Sequence, residues 1–254
     1  MHASQYSGLL EQMNRVLRGC HPDADCTPAR SPETPLIGGK IGVMRGKGDH
    51  LLILQGPLAQ ASSFAENFQL EYTEGMPAQS VGWGNVDEAQ VIKFIALHSI
   101  YFDLMHHTPS LAKMEASNML NAVVQTLQQG VEGKPVAGAV GVPGNKLVLL
   151  VGHDTNIGPI AALLRLHWNL DGRADDIPPG TELAFELWQA PQGAYRVKVV
   201  ITMQTLHQMH EAQELTSANP PARQVITPAA CVGETSECSW DMFRKLAGAA
   251  MGAE

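Results

Sequence analysis

The chain has 254 residues, 44% of them hydrophobic, enough for a large buried core that needs no staples. Its 17 Lys plus Arg against 25 Asp plus Glu leave a formal charge of −8, and the cations are scattered, so the basic footprint of a nucleic-acid partner is missing. No run of about 18 apolar residues is present to span a bilayer, and the opening MHASQYSG has neither the basic start nor the apolar stretch of a secretory signal.

In chain order, Leu9, Leu10, Met13, Val16 and Leu17 fall on one face of a helix predicted over residues 5–18, with Gly19 as its stop. Residues 20–49 are rich in Pro and Gly and read as a long loop. At its start Cys20 and Cys26 enclose HPDAD, and far downstream Cys231 and Cys238 enclose VGETSE. Each pair could close a short disulfide, which implies an oxidising compartment. Four separate thiols are the alternative, and zinc fits least, because there is no C-x-x-C. The stretch GGKIGVMRGKGD at 38–49 holds Lys40, Arg45 and Lys47, yet it departs from the phosphate-loop pattern and reads as a flexible loop.

The helical period then returns. Leu58, Ala61, Phe64, Ala65 and Phe68 form one stripe, and Val91, Phe94, Ile95, His98, Tyr101, Leu104 and Met105 form a longer one. Thr108-Pro109-Ser110 restarts the pattern for a helix carrying Leu111, Met114, Leu120, Val123 and Leu127 up to Gly130. The histidines among these segments, His98, His106, His107, His207 and His210, lack the spacing and carboxylate partners of a ligand set, so no metal is assigned. Trp83, Trp168 and Trp188 are expected in core or pocket walls.

Past residue 145 the period changes. LVLLV at 147–151 is a short unbroken apolar run, the pattern of a strand buried on both faces of an α/β sheet. GHDTN follows it, then a helix predicted to begin near Asn156 or Ile157, which places His153 and Asp154 in a strand-to-helix turn. Farther on, two alternating runs, from Glu182 to Leu187 and from Tyr195 to Met203, flank APQG and predict a β-hairpin.

In open α/β sheets, ligands bind beyond the carboxyl ends of the strands, where helix N-termini favour anions. There His153 can donate to a phosphate oxygen, and Asp154 can pass a proton to a leaving alcohol. Thr155 and Asn156 either cap the helix or touch the ligand. The bland alternative is that Asp154 or Asn156 is only an N-cap and His153 only a turn residue.

GHDTN followed by LHW and DIPPGTELAFELW resembles the C-terminal signature of the histidine acid phosphatases, especially their bacterial phytase branch. EGMPAQSVGWGNV at 74–86 is similar to the segment bordering the phytase pocket, and IALHSIYFDLMHHTPSLA at 95–112 to helices of the small α-domain. The glucose-1-phosphatases are a sister branch with the same His-Asp core. The resemblance implies an α/β fold of the phosphoglycerate-mutase-like kind, incomplete at its N-terminus, in which a central mixed sheet with flanking helices carries a smaller helical cap domain. The corresponding division is a helix and disulfide loop at 1–49, a cap at 50–135 and the C-terminal part of the phosphatase domain at 136–254.

It also implies phosphomonoester hydrolysis through a phosphohistidine, with Asp154 as proton donor, His153 as phosphate contact, and Thr155 and Met76 as pocket wall. A small phosphomonoester is the implied substrate, no cofactor is called for, and the implied location is periplasmic or secreted. The chain departs from the family in one respect. The nucleophile belongs to an Arg-His-Gly-x-Arg-x-Pro motif, and none of the ten histidines here is preceded by Arg and followed by Gly. VMRGKGD at 43–49 lacks the histidine. The expectation is therefore that the family segment carrying the nucleophile and its strand, which would pair beside LVLLV, is missing because Met1 is an internal start or the sequence is truncated, and that the chain alone is inactive and poorly soluble. The alternatives are a non-catalytic remnant that binds phosphate esters, or half of a split protein that needs a complementary N-terminal segment.

Overall fold

The computed structural model describes residues 3–21, 36–46, 52–228, 231 and 237–252. The chain divides into two compact units, each assembled from separate stretches of sequence.

The first unit comprises residues 1–105, 169–176 and 204–222. Helix α1 (Ala3–Leu17) is followed by an antiparallel hairpin of β1 (Gly42–Arg45) and β2 (Leu52–Gln55), then by α2 (Pro57–Thr73) and most of α3 (Glu88–His106). The apolar stripes meet where their spacing directs them. Met13 and Val16 from α1, Ala61, Ala65 and Phe68 from α2, and Val91, Phe94 and Leu97 from α3 form one buried cluster. Leu206 joins it from α6 (Leu206–His210), which Thr205 caps by accepting a hydrogen bond from the Gln208 N–H. The hairpin lies inside the stretch that reads as loop, and Ile41, Val43, Met44 and Ile53 stay exposed on or beside it. Those four residues explain why the core pattern of a strand was missing from that part of the sequence.

A second set of contacts in this unit is polar and buried. Arg173, on the short hairpin β3 (Asn169–Leu170) and β4 (Arg173–Ala174), donates to Asp176 at 2.7 Å and to the Gln204 carbonyl at 3.0 Å. Asp176 accepts a further bond of 2.7 Å from Gln69 on α2. A buried guanidinium is tolerated because a carboxylate offsets its charge and both partners are hydrogen-bonded.

The second unit comprises residues 106–168, 177–203 and 223–254. Helix α4 (Pro109–Glu132) starts with Thr108 at its N-cap and Pro109 in the first turn, and ends at Gly133 in the left-handed region, φ 66°. It packs against α5 (Asp154–Leu164) and α7 (Trp240–Met251). The predicted hairpin forms as β5 (Glu182–Gln189) and β6 (Tyr195–Met203), antiparallel with Phe185 opposite Val199. Strand β7 (Ala222–Ile226) continues the sheet, and β8 (Cys238–Ser239) pairs antiparallel with β6. Cys231 and Cys238 are joined as a disulfide with their Cα atoms 5.0 Å apart. Cys20 is also disulfide-bonded, while its expected partner Cys26 lies outside the described residues.

One prediction for this unit fails. Residues 147–151 are neither buried nor part of a strand, and Leu147, Leu149, Leu150 and Val151 expose 78%, 72%, 46% and 90% of their surface. An apolar run becomes a strand only when another strand offers its backbone a ladder, and none does so among the described residues. Trp188 likewise lies about half-exposed, whereas Trp168 is buried as expected, and Trp83 in the first unit, though exposed, lines a concave patch.

Candidate active site

The start of α5 carries the His-Asp pair. His153 sits at the N-cap with extended backbone, φ −121° and ψ 168°, and Asp154 is the first helical residue. The helix therefore begins two residues earlier than the apolar period indicated. Asn156 sets this boundary, because its Oδ1 accepts the His153 backbone N–H at 2.8 Å while its own N–H donates to the His153 carbonyl at 2.9 Å. The residue before the pair must be small, since a Cβ on Gly152 would run into the Asn156 side-chain oxygen. The wording GHDTN thus has a local mechanical meaning: Gly152 leaves room, Asn156 locks the turn, and His153 and Asp154 are held where extended backbone gives way to helix.

The side chains that could do chemistry are available there. His153 and Thr155 are exposed and Asp154 is half-buried. Asp154 Oδ1 accepts the Thr155 backbone N–H at 2.7 Å, which fixes one carboxylate oxygen and leaves the other open to a ligand. The helix dipole favours an anion at this end, while the Thr155 and Asn156 N–H groups are already engaged by Asp154 Oδ1 and the His153 carbonyl. Behind it, Gly158, Pro159, Ile160, Ala161 and Leu164 are buried and anchor α5 in its unit.

His153, Asp154 and Thr155 therefore come together at one helix start. Met76, the fourth expected residue, belongs to the first unit, where it packs on the apolar cluster and lines a concave patch with Phe68, Glu71 and Trp83. Beside this patch Gly82 and Trp83 adopt left-handed conformations, φ 51° and 57°. The Gly82 N–H donates to Glu71 at 2.8 Å, and Val86 occupies the space a Cβ on Gly82 would need. Of the two roles the sequence leaves open for Asn156, capping the helix is the one formed, whereas Gly152, whose place immediately before His-Asp was the available clue, is not singled out by the sequence reading.

Comparison with known proteins decides what this helix start belongs to. The family model of the histidine phosphatase superfamily (branch 2) matches residues 56–202. The chain is a member of that family. It is 32% identical over 197 residues to phytase AppA of Escherichia coli (strain K12), a match covering 76% of this chain and 45% of that protein. A glucose-1-phosphatase of Providencia rettgeri is 28% identical over 202 residues, with 78% of this chain and 46% of the relative covered. The chain thus spans about half the length of the curated relatives it matches. Among solved structures, Hafnia alvei phytase in complex with tartrate superposes with a TM-score of 0.81 at 29% identity, covering 97% of this chain and 60% of the phytase. The same phytase in complex with myo-inositol hexakis sulphate gives 0.79. The α/β architecture expected from the resemblance is therefore that of a histidine phosphatase.

Proposed function

We propose that this polypeptide supplies the acid half of a phytase-type phosphomonoesterase acting on a small phosphate ester such as an inositol phosphate. The carrying observation is the locked His153-Asp154 pair at the exposed N-terminus of α5. In this reading a histidine of an Arg-His-Gly-x-Arg-x-Pro motif on a complementary segment attacks phosphorus, and the bond from phosphorus to the ester oxygen breaks. Asp154 delivers its proton to the departing alkoxide. Water then attacks the phosphohistidine, the Asp154 carboxylate takes up the proton, and inorganic phosphate leaves. His153 and the positive end of the α5 dipole hold phosphate oxygens throughout, with Thr155 as pocket wall. The disulfide-bonded cysteines support a periplasmic or secreted setting.

The nucleophile is assigned to another segment because no histidine of the 254 residues stands in an Arg-His-Gly sequence. A lone positioned acid contributes about 10²–10⁴-fold, far below ordinary enzymatic acceleration. The test is turnover by the 254-residue chain alone and together with the Arg-His-Gly-bearing N-terminal portion of the Escherichia coli phytase. Hydrolysis of inositol hexakisphosphate by the pair and not by the chain is expected. Ordinary enzyme rates from the chain alone would contradict the reading. Because glucose-1-phosphatases also match the chain, glucose 1-phosphate is the comparison substrate, and its preferential hydrolysis would move the assignment to that branch.

A further inference from the structure

We propose that the concavity of the first unit lined by Phe64, Phe68, Met76 and Trp83, together with Glu71 and Glu74, binds a small quaternary ammonium compound of the choline type. The inference goes beyond the phosphatase reading and uses none of its chemistry. Its parts come from the spacing along α2. Phe64, Phe68 and Glu71 recur at intervals of four and three residues, and Glu74 follows at the C-cap, so one face of the helix passes from aromatic to acidic. The chain then turns back on that face. Glu71 accepts the Gly82 N–H at 2.8 Å, and the indole of Trp83 stands beside Phe68 with ring centroids 6.2 Å apart and planes at 84°. Phe64 lies 6.3 Å from Phe68. Three aromatic rings and two carboxylates thus share one concavity of about 370 Å³.

Each component narrows what can bind. Trp83 exposes 63% of its surface, and a ring exposed to that degree cannot have both of its π faces covered. Such a face attracts a cation through the ring quadrupole, and aromatic rings set around a pocket are the recurrent receptor for quaternary ammonium groups. Glu71 and Glu74 set the sign. The lining contains no Lys or Arg, and neither glutamate forms an ion pair among the described residues, so the local charge opposes a phosphate ester and favours a cation. A primary ammonium or a guanidinium needs several directed acceptors close around it, whereas this wall is mostly ring carbon and thioether. A quaternary nitrogen donates no hydrogen bond and needs none. The volume lies at the small end of the roughly 300–1,000 Å³ typical of ligand pockets, which suits one small molecule.

The site is built from the core outwards. Phe68 is buried and packs on Phe94 of α3 with centroids 6.2 Å apart, so the central ring of the three is fixed by the same cluster that holds the helices together. The turn that carries Trp83 is fixed as well, because Val86 fills the space beside Gly82 and Glu71 holds the Gly82 N–H. A ligand therefore meets rings and a carboxylate already in place and has little protein to order.

The test titrates choline chloride into the 254-residue chain, isotopically labelled at its tryptophan indole nitrogens, and follows the Trp83 N–H resonance, identified by its loss in Trp83→Phe. Sodium chloride at equal ionic strength is one control, and dimethylbutanol, in which carbon replaces the quaternary nitrogen of choline, is the other. Choline should shift the Trp83 signal saturably, with dimethylbutanol at least about fivefold weaker. Phe64→Leu, which removes a ring and keeps apolar volume, should weaken choline about two- to fivefold. Glu71→Gln retains an oxygen acceptor for the Gly82 N–H, and it and Glu74→Gln should each weaken choline by up to about fivefold. Because Glu74 is exposed, its variant keeps the test decisive even where a change at Glu71 disturbs the turn. Equal shifts by choline and dimethylbutanol overturn the proposal, leaving only an apolar patch. A shift matched by sodium chloride, unchanged affinity in both glutamate variants, or no saturation by about 0.1 M overturns it too. A tighter response to inositol hexakisphosphate than to choline overturns it in favour of an anion site.

Discussion

In β6, Val197, Val199, Val200, Ile201 and Met203 are all at most 1% exposed, whereas the chemically similar Leu147, Leu149, Leu150 and Val151 expose 46–90% of their surface. Both segments belong to the same unit, and both are short and rich in aliphatic residues. The difference lies in what flanks them. Strand β6 has β5 along one edge, β8 along the other and α7 packed against it. Residues 147–151 have no strand on either edge among the described residues. Local hydrophobicity therefore states only that a segment can be buried; the partners decide whether it is.

Substitutions can break or sharpen this contrast. Ile201→Ala, at a fully buried position of β6, should destabilise the chain by about 2–5 kcal/mol in denaturant titration, through lost burial plus the cavity left behind. A loss below about 0.5 kcal/mol would mean that the sheet is not a packed core. At the junction between the two regimes, Asn156→Ala removes the acceptor of the His153 N–H and should cost about 0.5–2 kcal/mol. Exchange of the His153 amide should quicken at the same time, and an unchanged amide would show that Asn156 does not hold the turn. Leu149→Ala should alter the stability of the chain alone by no more than about 0.5 kcal/mol, because its side chain contributes little burial there. A core-sized loss from that change would show that the run is packed after all.

The helices were legible in the sequence because period and punctuation agreed. Thr108-Pro109 opens α4 as read, though the helix runs past the expected stop at Gly130 to end at Gly133, and the stripes of α2 and α3 meet as their spacing requires. The β5–β6 hairpin was legible for the same reason, as alternation on both sides of APQG needs no distant information. The hairpin of β1 and β2 was hidden, since neither strand has a fully buried residue and β1 is exposed at three of its four positions. The Arg173, Asp176 and Gln69 network was hidden by distance, with Gln69 and Asp176 lying 107 positions apart. Of the candidate site, residue identity was legible and mechanical detail was not. The His-Asp pair alone is a weak pattern that an ordinary N-cap could explain, and the wider wording around it carried the family. How Gly152 and Asn156 hold the turn required coordinates.

The central claim is that Asp154 protonates the leaving alcohol. Its most direct test compares Asp154→Asn with the parent sequence in a fusion carrying the Arg-His-Gly segment, using inositol hexakisphosphate and an aryl phosphate as paired substrates. An alkoxide needs a proton to depart and an aryloxide needs one far less. The variant should therefore lose about 10²–10⁴-fold on the inositol ester and much less on the aryl ester. Equal losses on the two substrates would contradict a proton-donor role for Asp154.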